Sequence, residues 1–193
     1  QDLNITVTNV NEKPTFDGPD GTATENLSVV ENETFVIDVN ASDVDAGTTL
    51  TYSLPSGLDF ALFDVNATTG VVSFLNLRDF ENKADSNSDN VYEVDVNASD
   101  GNLWNILPLK VIVTDVNDAP FFGPRAGNIE YARTVYSGES NAIALTNINA
   151  TNYDAGEVLV YSLAGGADQS KFSINAATGD LSFDSGGGFA ADY

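Results

Sequence analysis

Residues 115–122 read Asp115-Val116-Asn117-Asp118-Ala119-Pro120-Phe121-Phe122. Two carboxylates and an amide stand within four residues, and the proline that follows stops any regular structure from running through. A near copy stands at Asn9-Val10-Asn11-Glu12-Lys13-Pro14-Thr15-Phe16, with Asn11 and Asn117 placed 106 residues apart. That spacing is the length of a domain, so the stretch reads as punctuation between repeats.

The duplication extends into the sequence between and beyond the two copies. Asp45-Ala46-Gly47 matches Asp154-Ala155-Gly156, and Tyr52-Ser53-Leu54 matches Tyr161-Ser162-Leu163. The run Asn66-Ala67-Thr68-Thr69-Gly70 returns as Asn175-Ala176-Ala177-Thr178-Gly179. Every one of these pairs is 109 residues apart, and a constant offset marks duplicated domains.

Within each repeat the apolar residues alternate with period two. Leu3, Ile5 and Val7 do so, as do Phe35, Ile37 and Val39, then Tyr92, Val94 and Val96, then Leu107, Leu109, Val111 and Val113. Such segments place one face on a core and one in water, and the turns between them carry Gly, Asn and Asp. Strands are expected near 22–30, 34–41, 49–54, 60–65, 71–75, 91–98 and 105–114. Equivalents are expected near 129–136, 142–148, 158–163, 171–174 and 180–183. The fold class is therefore all-β, built of tandem seven-stranded Greek-key sandwiches. Residues 13–117 form one complete repeat. Residues 118–193 form a second that lacks its last two strands. Residues 1–12 form the last strand and linker of a preceding repeat. The chain is expected to be a window on a longer tandem array, the alternative being a strand donated between subunits.

Composition limits the chemistry. The 29 acidic residues outweigh 7 basic ones, a formal net charge of −22. Neutralising phosphate or docking on anionic lipid needs Lys and Arg, so neither nucleic acid nor an anionic membrane surface is expected as a partner, and without a membrane-length apolar run direct membrane insertion is not expected. Solubility or cation binding is favoured instead. The chain has no Cys, Met or His, which excludes disulfides, thiolate or imidazole metal sites and histidine acid–base catalysis. No nucleophile and base stand together, so no enzyme is expected.

The acidic residues of the first repeat fall at strand ends: Glu31, then Asp43 and Asp45, then Asp79 and Glu81, then Asp100, then Asn117 and Asp118. A sandwich gathers its strand ends at two poles. Glu31, Asp79, Glu81 and residues 115–118 are expected at one, and Asp43, Asp45 and Asp100 at the other. Converging carboxylates without basic partners repel, and a cation relieves that repulsion. An all-oxygen ligand set suits Ca²⁺.

Together, Glu31, Asp79-Phe80-Glu81, Asp43-Val44-Asp45, Ala98-Ser99-Asp100-Gly101 and Asp115-Val116-Asn117-Asp118 resemble the interleaved motif set of cadherin repeats, most closely the cadherin-like repeats of large bacterial surface proteins. That resemblance implies Ca²⁺ ions between successive domains. It assigns the side chains of Glu31, Asp79, Glu81, Asn117 and Asp118, and the carbonyls of Val116 and Ala119, to one junction. The following repeat adds Asn152 and Asp154. Asn152 stands where a carboxylate is expected, which implies fewer or weaker ions. At the other junction the resemblance assigns Asp43, Asp45, Asp100, Asn11 and Glu12. It further implies an extracellular or cell-surface location, a structural and adhesive role in a rod or filament, and neighbouring cadherin-like repeats as partners, with homophilic contact or a surface glycan as further partners. The alternatives are a carbohydrate- or protein-binding module and an accessory domain of a secreted enzyme. Trp104 is expected to pack on a neighbouring loop; exposed, it would suit a sugar ring.

Overall fold

The computed structural model describes residues 2–17, 25–122 and 146–183. The chain divides into two compact units, Gln1–Val116 and Asn117–Tyr193. In the first unit the strands are β1 (Thr15–Phe16), β2 (Glu25–Val30), β3 (Phe35–Asp38), β4 (Ala41–Ser42), β5 (Thr51–Ser56), β6 (Phe63–Val65), β7 (Val71–Phe74), β8 (Val91–Ser99) and β9 (Trp104–Thr114). Four form one sheet in the order β2-β9-β8-β5 and three form another in the order β3-β7-β6, while β1 pairs with β4. The seven strands of the two main sheets make the sandwich that the alternation implies. Pairing is antiparallel except between β2 and β9, which run parallel over six register pairs from Glu25↔Leu109 to Val30↔Thr114.

The core follows from the period of two. Tyr92, Val94, Val96 and Ala98 of β8 and Leu107, Leu109, Val111 and Val113 of β9 are buried, while the residues between them are half-exposed. Full burial of each such Val or Leu contributes roughly 1.5–3 kcal/mol. The facing sheet supplies Phe63, Val72 and Phe74. The rings of Phe63 and Phe74 stack at 4.5 Å, and Tyr92 meets Phe74 edge-on at 5.2 Å, joining the two sheets.

A corner built from the duplicated sequence sets the loop ends. The Asn66 side-chain oxygen accepts from the N–H groups of Thr68 and Thr69 at 3.0 and 3.1 Å, closing a tight turn. Gly70 ends the turn at φ +81, and its carbonyl accepts from Val39 N–H at 3.1 Å. The hydroxyl of Tyr52 accepts from Ala41 N–H at 3.0 Å.

The second unit contains β10 (Phe121–Phe122), β11 (Thr146–Asn147), β12 (Ala150–Thr151), β13 (Phe172–Ile174) and β14 (Asp180–Phe183). β10 pairs with β12, and β11-β14-β13 form a sheet, reproducing β1-β4 and β3-β7-β6. The corner is reproduced too. Asn175 accepts from Ala177 and Thr178 N–H at 2.9 and 3.2 Å, Gly179 sits at φ +73, and the Tyr161 hydroxyl accepts from Ala150 N–H at 3.1 Å. Phe172 and Phe183 stack at 5.2 Å, as Phe63 and Phe74 do.

Several expected strands are corrected. The single strand at 34–41 is two. Val39 bonds to the Gly70 corner, and beyond it the chain leaves β7 to pair with β1. The segment at 60–65 begins with a 3-10 turn, Phe60–Leu62, before β6. Residues 158–163 form no strand. Among the described residues their counterpart β5 pairs with β8 alone, and no described strand of the second unit stands in the place of β8. Residues 2–8 form no strand either, and Leu3, Ile5 and Val7 are exposed: alternation alone does not make a strand without an edge to pair with. The strand expected at 129–136, and residues 22–24 and 142–145 of two others, lie outside the described residues. Trp104, expected to pack on a neighbouring loop, lies opposite Ser99 at the start of β9 and is largely exposed, at 61%.

Candidate metal centre

At one pole of the first unit, carboxylate oxygens of Glu31, Glu81 and Asp115 lie within 4.8 Å of one another. Each arrives by a different route. Glu31 follows the last residue of β2, Asp115 follows the last residue of β9, and the parallel pairing of those strands brings both ends to one place. Glu81 comes from the long loop between β7 and β8. That loop is fastened where the Tyr92 hydroxyl accepts from Ala84 N–H at 3.2 Å and where buried Asp59 accepts from Ser86 and Glu93 N–H at 2.7 and 3.0 Å.

Glu31 is buried, and both its oxygens are oriented. One accepts from Phe80 N–H at 3.0 Å and the other from Val116 N–H at 2.8 Å. Asp79 accepts from Asn82 N–H at 3.1 Å. Burial, with the nearby carboxylates of Glu31, Asp115 and Asp79, pushes the Glu81 carboxyl above its ordinary range, against a smaller opposing backbone hydrogen bond. Like charges this close cost on the order of 1–4 kcal/mol per pair, depending on local dielectric. Glu81 Oε2 is buried and has no hydrogen-bond partner. A hard cation fits this set: it supplies the missing partner and neutralises the repulsion. Asp115 was absent from the ligands expected from sequence. The signal was the strand register, since Glu31 and Asp115 directly follow the paired ends Val30 and Thr114.

The second set of expected ligands in this unit is held by hydrogen bonds. Asn11 donates to Asp100 at 2.7 Å, Glu12 N–H to Asp45 at 3.0 Å, and Asp45 N–H to Asp43 at 2.8 Å, while the side chain of Asn9 donates to Asp45. Asp43 Oδ2 is buried without a partner. Asp100 also accepts from Leu103 and Asn102 N–H, both at 2.6 Å, which together with Asn11 lower its titration. Among the described residues this set does not bring three acidic oxygens within the same 4.8 Å.

In the second unit the arrangement recurs in weaker form. Asp118 N–H donates to Asp154 at 2.9 Å and Asp154 N–H to Asn152 at 3.2 Å. Asp154 Oδ1 is buried without a partner. Asn152 donates its amide nitrogen to Glu157 at 2.8 Å, and an amide has no second acceptor oxygen where the Asp43 carboxylate has one. The Asn117 side chain donates to the Asp118 carbonyl at 3.3 Å, and Ala119 is exposed.

In its sandwich and its duplicated corner the chain is similar to cadherin extracellular repeats. The chain is 30% identical over 161 residues to Protocadherin Fat 4 of Homo sapiens, a match covering 79% of this chain and 3% of that protein. It is 26% identical over 187 residues to Cadherin-23 of Homo sapiens, covering 93% of this chain and 5% of that protein. Among solved structures, mouse Cadherin-23 EC22-24 superimposes with a TM-score of 0.55 at 26% identity, over 90% of this chain and 54% of that one. Human CDH23 EC21-23 does so with a TM-score of 0.57 at 25% identity, over 92% and 55%. No protein-family model matches the chain. The chain thus spans a few per cent of the length of these curated relatives, which are animal cadherins; the expected likeness to bacterial surface proteins finds no counterpart in them. Cadherins are non-enzymatic adhesion proteins and their repeats are extracellular. Among the described residues no helix is long and apolar enough to cross a membrane.

The raised Glu81 carboxyl gives a pH prediction. Were a cation held here, protons would compete with it for Glu81 before they reach an ordinary glutamate as pH falls from neutral, so its affinity would decline from that higher pH. Stability in EDTA moves the other way. A carboxyl raised in the folded state takes up a proton that the unfolded chain does not yet hold, so stability increases as pH falls from the raised Glu81 titration toward the ordinary glutamate range. Calorimetric Ca²⁺ titrations and EDTA melts across that window check both signs. Glu81→Gln should remove both dependences.

Proposed function

We propose that this chain is a calcium-stiffened segment of an extracellular adhesive array. Glu31, Glu81 and Asp115, with Asp79 beside them, hold Ca²⁺ at one end of a repeat. Asn117, Asp118 and Asp154 of the following repeat, with the carbonyls of Val116 and Ala119, complete the ligands at the junction. Asn152, Asp43, Asp45, Asp100, Asn11 and Glu12 belong to the outer positions of two such junctions. The ion cancels carboxylate repulsion and limits the freedom of the linker, so that tandem repeats act as a rod. The partners are neighbouring repeats, with homophilic contact as the adhesive step. The observation that carries this reading is the convergence of three acidic oxygens within 4.8 Å beside the unpartnered Glu81 Oε2.

Extracellular modules of this kind bind Ca²⁺ with Kd of roughly 10⁻⁴–10⁻³ M. At about 100 times Kd, ligation stabilises the folded state by about 2.7 kcal/mol. Calorimetric titration with Ca²⁺ should therefore give a saturable heat in the millimolar range, and melting temperature should rise with Ca²⁺ and fall in EDTA. Small-angle scattering should show a stiffer particle on adding Ca²⁺. A chain that neither binds Ca²⁺ nor melts differently with it rules the reading out.

A further inference from the structure

We propose that Asn90 is a positioning residue for the cation site, setting the Asp79–Glu81 segment against Glu31 through the Phe80 peptide. This rests on the cation-site reading above. Asn90 precedes β8, is 3% exposed and holds φ +63. Its side-chain nitrogen donates to the Phe80 carbonyl at 2.8 Å, while the Phe80 N–H donates to Glu31 at 3.0 Å. Phe80 lies between Asp79 and Glu81, and its ring packs against the core. The peptide groups flanking Phe80 are thus held on one side by a ligand carboxylate and on the other by Asn90.

The backbone of Asn90 is itself fixed at both ends. Its N–H donates to buried Asp85 at 3.2 Å, and its carbonyl accepts from Val113 N–H at 2.9 Å. Val113 stands on β9 two residues before Asp115. One residue therefore joins the loop that carries Glu81 to the strand that leads into Asp115. Residue chemistry narrows the choice. A positive φ admits Gly most readily and then Asn, Asp and His, and among the small residues of that set only Asn has a side-chain N–H donor. Asn90 Oδ1 is buried and makes no hydrogen bond among the described residues. The side chain is used for its donor.

The test uses the chain of residues 1–193. Asn90→Gly keeps the positive φ and removes the donor. Ca²⁺ affinity is measured by calorimetry, and hydrogen exchange of the Phe80 amide is measured by NMR in EDTA. Removing groups that orient metal ligands costs about 10–100-fold in affinity, so binding at least about tenfold weaker is expected. Exchange should quicken at Phe80 without quickening along β8. Asn90→Asp keeps the shape and the positive φ should the glycine variant not fold. Its added charge alone would tighten cation binding, so weaker binding there reports the lost donor. Unchanged or tighter binding, or exchange that quickens equally through the whole unit, overturns the proposal. If the unsubstituted chain binds no Ca²⁺, the cation reading falls with it, and the Phe80 amide still tells whether Asn90 sets this segment.

Discussion

Ca²⁺ binding by Glu31→Gln is expected to fall by about two decades while the repeat stays folded. Glu31 is the buried member of the acidic pole. A unit charge about 2.4 Å from a divalent ion contributes on the order of 3 kcal/mol even at the dielectric constant of water, or roughly 100-fold in affinity. Stability without the ion should change much less. The glutamine keeps one acceptor for Phe80 or Val116 and turns an amide group toward the other, a cost of about 1–3 kcal/mol. Removing one of three mutually repelling carboxylates offsets part of that. Calorimetry with Ca²⁺ and urea melts in EDTA separate the two effects. Equal affinity for Glu31→Gln and the unsubstituted chain would falsify the site.

The largest loss of stability is expected from Gly70→Ala, at roughly 3 kcal/mol or more. A Cβ there would lie 2.1 Å from the Val39 carbonyl oxygen and 3.2 Å from the Tyr52 ring, and φ is +81. The backbone atom cannot give way without breaking the Val39–Gly70 hydrogen bond, so strain and contact add. Against a domain stability of roughly 5–15 kcal/mol such a change removes about a fifth to three-fifths of the total. Gly47→Ala is the matched control: φ is +84, but nothing lies within 4 Å of the added atom. It should cost about 1–2 kcal/mol, the conformational term alone. Denaturant melts that rank the two alike would show that the Val39 contact is not the cause.

The fold was legible because its signals are local. The buried alternations of β8 and β9 stand in the sequence as Tyr92-x-Val94-x-Val96 and Leu107-x-Leu109-x-Val111-x-Val113. The 109-residue offset reads out the corner at Asn66–Gly70 and its copy at Asn175–Gly179. What failed depended on partners. Phe35, Ile37 and Val39 were expected on one core face, yet a register irregularity between Phe35 and Ile37 leaves Phe35 exposed and Val36 buried, and the chain changes neighbours at Val39. Residues 158–163 have the pattern of β5 but no described neighbour to pair with.

The candidate site divides in the same way. Glu31 and Glu81 were expected at one pole, and the resemblance to cadherin repeats named them as ligands. Asp115 was passed over in favour of Asn117 and Asp118, since a motif gives residue types and not which oxygens meet. Asn90 left no readable trace. Its role depends on a positive φ and on a contact with a carbonyl ten residues away in sequence.

The parallel pairing of β2 with β9 has a mechanical meaning. The chain enters β2 at Glu25 and leaves β9 at Thr114, at opposite ends of one six-pair ladder. Tension applied at those two points pulls the strands past each other. All six register pairs then bear the load together in shear, where an antiparallel pair pulled from one end would open bond by bond. The same ladder delivers Glu31 and Asp115 to the metal pole. A cation gripping both residues would therefore act as a crosslink at the loaded end, placing the grip of the ion and the tensile strength of the repeat on one pair of strands.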